Sequence, residues 1–310
     1  MTIQTDIAIL GGGPGGYVAA LRAAQLGAQV ALIEENTVGG VCLNVGCIPT
    51  KALLRSAEVY RAFLRAEAFG LRLEGGVTPD WPAIQGRKGG IVRQLVHGVE
   101  VLLRKAGVQV LQGRGRFVAP RTLEVTTADD SQQVEAKHIV IATGSRPMRL
   151  PLPGMDLPGV IDSTGALALE ALPRRLLVIG GGVVGVEFAD IFNAFGVEVA
   201  VVEMLDRILP QMDGDLGKAL AWTMVQRGVE LYLNSQVTGV DAVEGGCGPR
   251  LSPPAVKWRW RLTGWWLPSG GGPMSRIWGW EQRGCVLTRR ASRWTRRCRR
   301  TCRVSMLLGT

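Results

Sequence analysis

Two stretches of this chain spell the same unit: "DIAILGGGPGGYVAALRAAQLGAQVALIEE" (6–35) and "RLLVIGGGVVGVEFADIFNAFGVEVAVVE" (175–203). The first reads as a strand at 6–10, a glycine turn at 11–16, a helix at 17–27 closed by a glycine, and a second strand at 28–35. The second reads as a strand at 175–179, a turn at 180–185, a helix at 186–196 and a strand at 197–203. At a constant offset of 169, Gly11, Gly13, Gly16 and Glu34 map onto Gly180, Gly182, Gly185 and Glu203. A duplicated βαβ unit demands parallel sheets with crossover helices, so the expected class is α/β with two Rossmann-like domains.

The spacing carries its own chemistry. In G-x-G-x-x-G the first glycine permits the tight bend, the second admits a pyrophosphate to the backbone, and the third lets helix and strand pack closely. The helix start offers unpaired N–H groups and partial positive charge to phosphate. An acid ending the second strand receives ribose hydroxyls. A packed glycine turn alone does not explain an acid recurring at one offset. Two dinucleotide sites are therefore expected. Glu203 would repel a 2′-phosphate, so the second site favours NAD; Arg207 is read as a surface residue.

Between the repeats the pattern predicts helices near 46–66 and 82–106, β-like runs at 108–118 and 122–127, and a strand at 138–144. "RPMRLPLPGMDLPG" (146–159) holds four prolines and reads as a connection. A helix near 214–227 and strands near 229–233 and 236–243 follow, and periodicity stops near 247.

"GGVCLNVGCIPTK" (39–51) places Cys42 and Cys47 five positions apart. Zinc needs about four ligands, and no His or further Cys stands near, so no metal is expected. On a regular helix residues i and i+5 lie ~8 Å apart, beyond the ~7 Å limit for a disulfide. A bridge requires an irregular or just-starting helix, for which the glycines provide. A helix beginning near Gly46 would put Cys47 at its N-terminus, where a thiolate is stabilised. Two buried free thiols remain the alternative on these grounds.

The segment resembles the redox-disulfide segment of the flavin-dependent pyridine nucleotide–disulfide oxidoreductases, and its C-L-N-x-G-C-I-P-[ST]-K wording is most similar to the dihydrolipoyl dehydrogenase group. The resemblance covers residues 1 to about 247. It implies a Cys42–Cys47 redox disulfide, with Cys42 as the interchange thiol and Cys47 against the flavin. It implies an FAD site from Gly11, Gly13, Gly16 and Glu34, from Gly115 of "GRGRF" (113–117), and from Thr143 and Gly144 of "IATGSRP" (141–147). Lys51 would sit near flavin N5, paired with Glu187. The NAD site would comprise Gly180, Gly182, Gly185 and Glu203. The implied reaction is oxidation of protein-bound dihydrolipoamide by NAD. The implied partner is the lipoyl domain of a 2-oxoacid dehydrogenase or glycine cleavage complex, within a homodimer. Related readings are mercuric, glutathione or another disulfide reductase, or an inactive nucleotide-binding fragment.

The family's His–Glu acid–base pair lies in a C-terminal interface domain, and no matching motif occurs here. His97 and His138, the two histidines, read as structural or surface residues. A second FAD segment ending in Gly-Asp is also unmatched. Residues 249–310 instead hold thirteen Arg, seven of nine Trp and a net +13, which leaves −3 for 1–248 out of the total +10. Read one base out of frame with permitted codons, "ASRWTRRCRRTCRVSMLLGT" (291–310) becomes FEVDEAMPTNVPGVYAIGD, like the unmatched FAD segment. "WWLPSGGGPMSRIWGW" (265–280) becomes VAAVGRRPNVEDLG, like the end of the family's NAD domain. A frameshift near 245–257 is inferred. A nucleic-acid arm is the rival reading, since clustered Arg binds phosphate and Trp stacks on bases; no specific nucleic acid is expected.

The expected organisation is an FAD-binding domain with the redox disulfide (1–147), an incomplete NAD-binding domain (148–247) and an out-of-frame, disordered tail (248–310), with the interface domain absent. The FAD sheet is expected to lose a strand and keep an open edge. Weak or no FAD retention and negligible turnover follow. With no ~18-residue apolar run and no signal-peptide pattern, no membrane association and a cytoplasmic location are expected. In that compartment a redox-active disulfide fits better than a structural one.

Overall fold

The computed structural model describes residues 2–127, 130–243, 246–251, 266–268, 271–273 and 304–306. In chain order the elements are β1 (Thr2–Leu10), α1 (Pro14–Gln25), β2 (Val30–Glu34), α2 (Gly40–Val45), α3 (Cys47–Leu64), α4 (Trp81–Lys105), β3 (Gln109–Gln112), β4 (Arg114–Ala119), β5 (Thr122–Thr126), β6 (Ser131–Ile141) and β7 (Ser145–Pro147). Then come α5 (Ser163–Leu167), β8 (Arg175–Ile179), α6 (Val183–Ala194), β9 (Glu198–Val202), α7 (Gly214–Gln226), β10 (Glu230–Tyr232), β11 (Val237–Val243) and β12 (Gly246–Leu251). Three short strands follow: β13 (Trp266–Pro268), β14 (Gly271–Pro273) and β15 (Val304–Met306). The chain divides into two compact units: residues 1–44, 92–146 and 273–310 form one, and 45–91 with 147–272 form the other.

The first unit is built on a sheet in the order β3-β2-β1-β6-β5-β4. β3, β2, β1 and β6 run parallel, whereas β6, β5 and β4 are antiparallel. β2 is buried along its whole length, as an uninterrupted apolar run requires in a strand covered on both faces. Ala8, Leu10, Ala31, Ile33, Leu123, Val125 and Val134 share one core.

The second unit has a parallel sheet in the order β10-β9-β8-β13, beside the antiparallel hairpin β11–β12. Its core joins Leu53 and Ala57 of α3 and Trp81 of α4 to Leu176, Val178, Phe188, Ala189 and Phe192. Residues 45–91, placed with the first repeat by sequence order, thus pack with the second repeat. Both sheets open with the third, second and first strands in sequence, the order of a doubly wound dinucleotide fold.

The repeats behave as duplicates. Both helices begin three residues earlier than their apolar pattern suggests, at Pro14 and Val183, with Gly13 and Gly182 as N-caps. The glycine turn is itself the first helical turn, and Pro14 at the first position gives up an N–H that has no intrahelical partner. The run 108–118 is two strands broken at Gly113, whose φ is +146°. β6 begins at Ser131, seven residues before the apolar run, because an alternating polar stretch continues its pairing with β1.

Two expectations about the C-terminal stretch are corrected. Ordered pairing continues to Leu251, where β12 closes on β11. The edge expected to stay open on the first sheet carries β15, with Val304, Ser305 and Met306 parallel to Ile139, Val140 and Ile141. An unpaired strand edge is a template for any short apolar segment. β13 likewise lies parallel to β8 in the second sheet. Most of the stretch read as an out-of-frame tail lies outside the described residues.

Candidate active site

In the first unit the glycine turn is set by contact on several sides. Gly11 adopts φ +106°, and a Cβ there would stand 2.3 Å from the Ala142 carbonyl oxygen and 3.1 Å from Thr143 Cα. A Cβ on Gly16 would stand 1.8 Å from the Gly11 carbonyl oxygen. Only glycine allows α1 to press onto the strand end in this way. Gly13 differs, since its Cβ would meet nothing closer than Gly40 Cα at 3.7 Å. The start of α1 has no side-chain cap and no acid in its first turn. These backbone N–H groups and the open ground before Gly13 fit a diphosphate.

Glu34 is buried at the end of β2. Its carboxylate accepts from Gly12 N at 2.7 Å and Asn36 N at 2.8 Å. The acid therefore holds the turn as well as presenting its remaining lone pairs. Gly115 on β4 packs so closely that a Cβ would lie 2.4 Å from Leu10 Cδ1. Gly144 (φ +69°) has open space around it, and Thr143 is half-buried. Gly11, Gly13, Gly16, Glu34, Gly115, Thr143 and Gly144 all fall in this unit.

Cys42 and Cys47 form a disulfide. The helical path breaks between them: α2 ends at Val45, Gly46 takes φ −143° and ψ −113°, and α3 starts at Cys47. That interruption removes the obstacle a regular helix presents to i, i+5 bridging. Cys47 is exposed and Cys42 half-buried. Pro49 falls in the first turn of α3, where no N–H is missed, and the buried Thr50 hydroxyl donates to the Gly46 carbonyl at 2.7 Å.

Sequence reasoning missed how the segment is moored. Gly39 (φ +98°) donates its N–H to the Gly12 carbonyl at 2.8 Å. A Cβ on Gly40 would lie 2.6 Å from Gly13 Cα. The glycines before Cys42 thus serve close approach to the first glycine turn. The Asn44 amide donates to the carbonyls of Thr37, Val38 and Gly40 at 3.3, 3.2 and 2.9 Å.

In the second unit the repeat is reproduced. Glu203 is buried and accepts from Gly181 N at 2.7 Å and Leu205 N at 2.9 Å. Gly180 takes φ +105°, and a Cβ on Gly182 would meet nothing within 4 Å. α6 starts without a side-chain cap or a first-turn acid, whereas Asp162 and Asp213 cap α5 and α7. The buried Gly185 lies in the first turn of α6. This cradle also fits a dinucleotide. Arg207 is exposed and donates to the Pro210 carbonyl at 3.3 Å. Lys51 of α3 is ion-paired with Glu187 of α6.

His97 is exposed on α4 with Glu100 3.7 Å away, and His138 is exposed on β6 opposite Ile7. Cys247 is a buried free thiol on β12 that donates to the Pro158 carbonyl at 3.0 Å, and burial raises its pKa. Among the described residues no cluster of three His, Cys, Asp or Glu suits a metal ion, and no helix is long and apolar enough to cross a membrane.

The family model described as pyridine nucleotide-disulphide oxidoreductase matches residues 5–251. A dihydrolipoyl dehydrogenase of Acholeplasma laidlawii is 43% identical over 245 residues, spanning 78% of this chain and 72% of that protein. One from Bacillus subtilis is 41% identical over 236 residues, spanning 76% of this chain and 52% of the relative. One from Pseudomonas aeruginosa is 40% identical over 318 residues, spanning 99% of this chain and 66% of the relative. Two of these three relatives are thus matched over only about half to two thirds of their length. Among solved structures, the HOCl-induced flavoprotein disulfide reductase RclA from Escherichia coli superposes with a TM-score of 0.78 at 29% identity, over 92% of this chain and 61% of that one.

Proposed function

Because this chain belongs to the pyridine nucleotide–disulphide oxidoreductase family, we propose that it derives from an FAD-dependent enzyme that oxidises protein-bound dihydrolipoamide with NAD through the Cys42–Cys47 disulfide. The observation carrying this reading is that disulfide, formed where α3 starts and moored to the first glycine turn. Residues 1–147 are read as the FAD-binding domain and 148–247 as the NAD-binding domain, with 248–310 translated out of frame.

A substrate thiolate attacks Cys42 Sγ, breaks the Cys42–Cys47 bond and releases Cys47 as a thiolate. The second substrate thiol attacks the mixed disulfide and releases Cys42. The substrate leaves as a disulfide; of its two protons one is taken up by Cys42 and the other passes to solvent, because Cys47 stays a thiolate. The uncapped start of α3 favours negative charge on the released Cys47. When bound, the flavin links this dithiol chemistry to hydride transfer, which thiols cannot perform. Gly11, Gly13, Gly16 and Glu34 would hold its diphosphate and ribose, and Gly115, Thr143 and Gly144 would complete that site. Gly180, Gly182, Gly185 and Glu203 hold NAD in the same manner. Lys51, paired with Glu187, would supply the cation that favours reduced flavin. The lipoyl domain of a 2-oxoacid dehydrogenase or glycine cleavage complex is the proposed partner, with the cytoplasm as the compartment.

A second reading is a nucleotide-binding fragment without turnover. The end of the family match at 251 and the +13 charge of 249–310 favour it. Expression followed by a visible spectrum and an NADH-dependent lipoamide assay decides. A yellow protein that reduces lipoamide supports the first reading. A colourless protein without turnover supports the second.

A further inference from the structure

We propose that Asp190 is a positioning residue that sets the register of α3 on α6 and thereby keeps Lys51 against Glu187; this rests on reading α3 as the redox helix. Arg61 lies in the last turn of α3, ten residues beyond Lys51, or about 15 Å along the helix. Its Nη1 donates to both carboxylate oxygens of Asp190 at 2.8 Å, and its Nη2 donates to the Asp190 carbonyl at 2.9 Å and to Asn193 Oδ1 at 3.4 Å. Arg227, at the C-cap of α7, adds a bond from Nη1 to Asp190 Oδ1 at 2.7 Å, and its own carbonyl accepts from Asn193 Nδ2 at 3.1 Å. One carboxylate thus gathers α3, α6 and the end of α7.

The two ion pairs differ in strength of constraint. Lys51 is 58% exposed and contributes a single flexible ammonium, whereas the Arg61 and Asp190 side chains are 18% and 23% exposed. A guanidinium held at two nitrogens has little freedom to turn. Glu187 and Asp190 stand three residues apart on one face of α6, so a shift of α3 that breaks one pair strains the other. Between Lys51 and Arg61 on α3, Leu53 and Ala57 belong to the same buried apolar core as Val186 and Ala189 of α6. Such a core sets which side of α3 turns inward but tolerates small sliding along α6. The Arg61 fork removes that latitude.

The test acetylates lysines of the full chain under native conditions and compares Lys51 with Lys88, a half-buried lysine whose ammonium donates to Gln85 and to the Leu167 carbonyl. Asp190→Asn is expected to raise the Lys51-to-Lys88 labelling ratio about threefold, as loss of a weak surface pair allows. Glu187→Gln should raise it equally, and the double variant should add nothing further. Arg227→Met, which leaves the α3 contact intact, should keep the parent ratio. The proposal is overturned by an unchanged ratio in Asp190→Asn, by an equal rise in Arg227→Met, or by full additivity in the double variant. Should Asp190→Asn not fold, Arg61→Lys, which keeps the charge but loses the fork, is held to the same outcomes. None of these readouts needs flavin or turnover. A chain that cannot oxidise dithiols would therefore sink the proposed function and leave this inference standing.

Discussion

Glu34 and Glu203 occupy equivalent positions in two separately built turns and make the same pair of hydrogen bonds. One carboxylate oxygen accepts from the residue between the first two motif glycines of its own turn, Gly12 or Gly181, at 2.7 Å in both cases. The other accepts from the backbone two residues on, Asn36 at 2.8 Å or Leu205 at 2.9 Å. The acid usually assigned to a ribose is, in this chain, also the clasp that shapes the phosphate turn.

Removing that clasp costs stability. Glu203→Ala leaves the Gly181 and Leu205 N–H groups without their carboxylate and is expected to lower unfolding free energy by about 1–3 kcal/mol. Chemical denaturation of the variant beside the parent measures it. A loss confined to NAD affinity, with stability unchanged, would show that the acid serves the ligand alone.

Glycines of the two equivalent turns should separate into two kinds. Gly16→Ala puts a methyl 1.8 Å from a backbone oxygen, which demands movement of backbone; a loss of several kcal/mol or failure to fold is expected, beyond the ~1–3 kcal/mol typical of overpacking. Gly182→Ala meets open space at φ −72° and should keep stability to within about 1 kcal/mol. On the proposed assignment of Gly182 to the NAD site it should nonetheless abolish NAD binding, because the methyl would occupy the open space before the helix start. Thermal melts and nucleotide titration of both variants distinguish the two kinds.

Alkaline pH should report Tyr232. Burial, then its hydrogen bond to Glu230, raises its pKa from 10.0 to about 12. A group whose folded pKa is raised contributes stability that is complete below the unfolded value and is lost as pH rises through the folded one. Stability is therefore expected to fall between about pH 10 and 12, and Tyr232→Phe should flatten that part of the curve. Melting temperatures across this range would refute the assignment if both proteins fell alike.

Thiol accessibility should follow position in the fold. Burial raises the Cys247 pKa, so less thiolate is present at neutral pH and the site is shielded. After mild reduction, iodoacetamide should modify the exposed Cys47 readily and reach Cys247 only in denaturant. Peptide mass spectrometry with and without denaturant reads both sites, and rapid native labelling of Cys247 would contradict the buried placement.

The coding DNA carries a direct prediction. Insertion or deletion of bases near codons 245–257 should restore a frame encoding segments like VAAVGRRPNVEDLG and FEVDEAMPTNVPGVYAIGD. An uninterrupted ancestral frame that encodes the Arg- and Trp-rich stretch would remove the frameshift from the account.

Much of the fold was legible in the sequence because its signals are local. The duplicated glycine turns, the acids at one offset and the C-x4-C spacing each depend on residues a few positions apart. Cys47 at a helix start followed from the same reasoning, whereas the bridge to Cys42 was available only by resemblance and the short helix before Gly46 was not foreseen. Even the Lys51–Glu187 pair was available, though only by resemblance.

What tertiary structure decided is what depends on distant partners. Residues 45–91 join the second unit because Leu53, Ala57 and Trp81 find their apolar complement on α6 and its sheet, about a hundred residues or more away. Gly39 and Gly40 read as loosening a helix, yet their task is approach to Gly12 and Gly13. Nothing in the local pattern of α3 distinguishes Arg61 from a solvated arginine. Composition and periodicity dictate which atoms can be buried or turned; only packing brings a particular guanidinium to a particular carboxylate, because that meeting is set by the crossing of two helices and by neither helix alone.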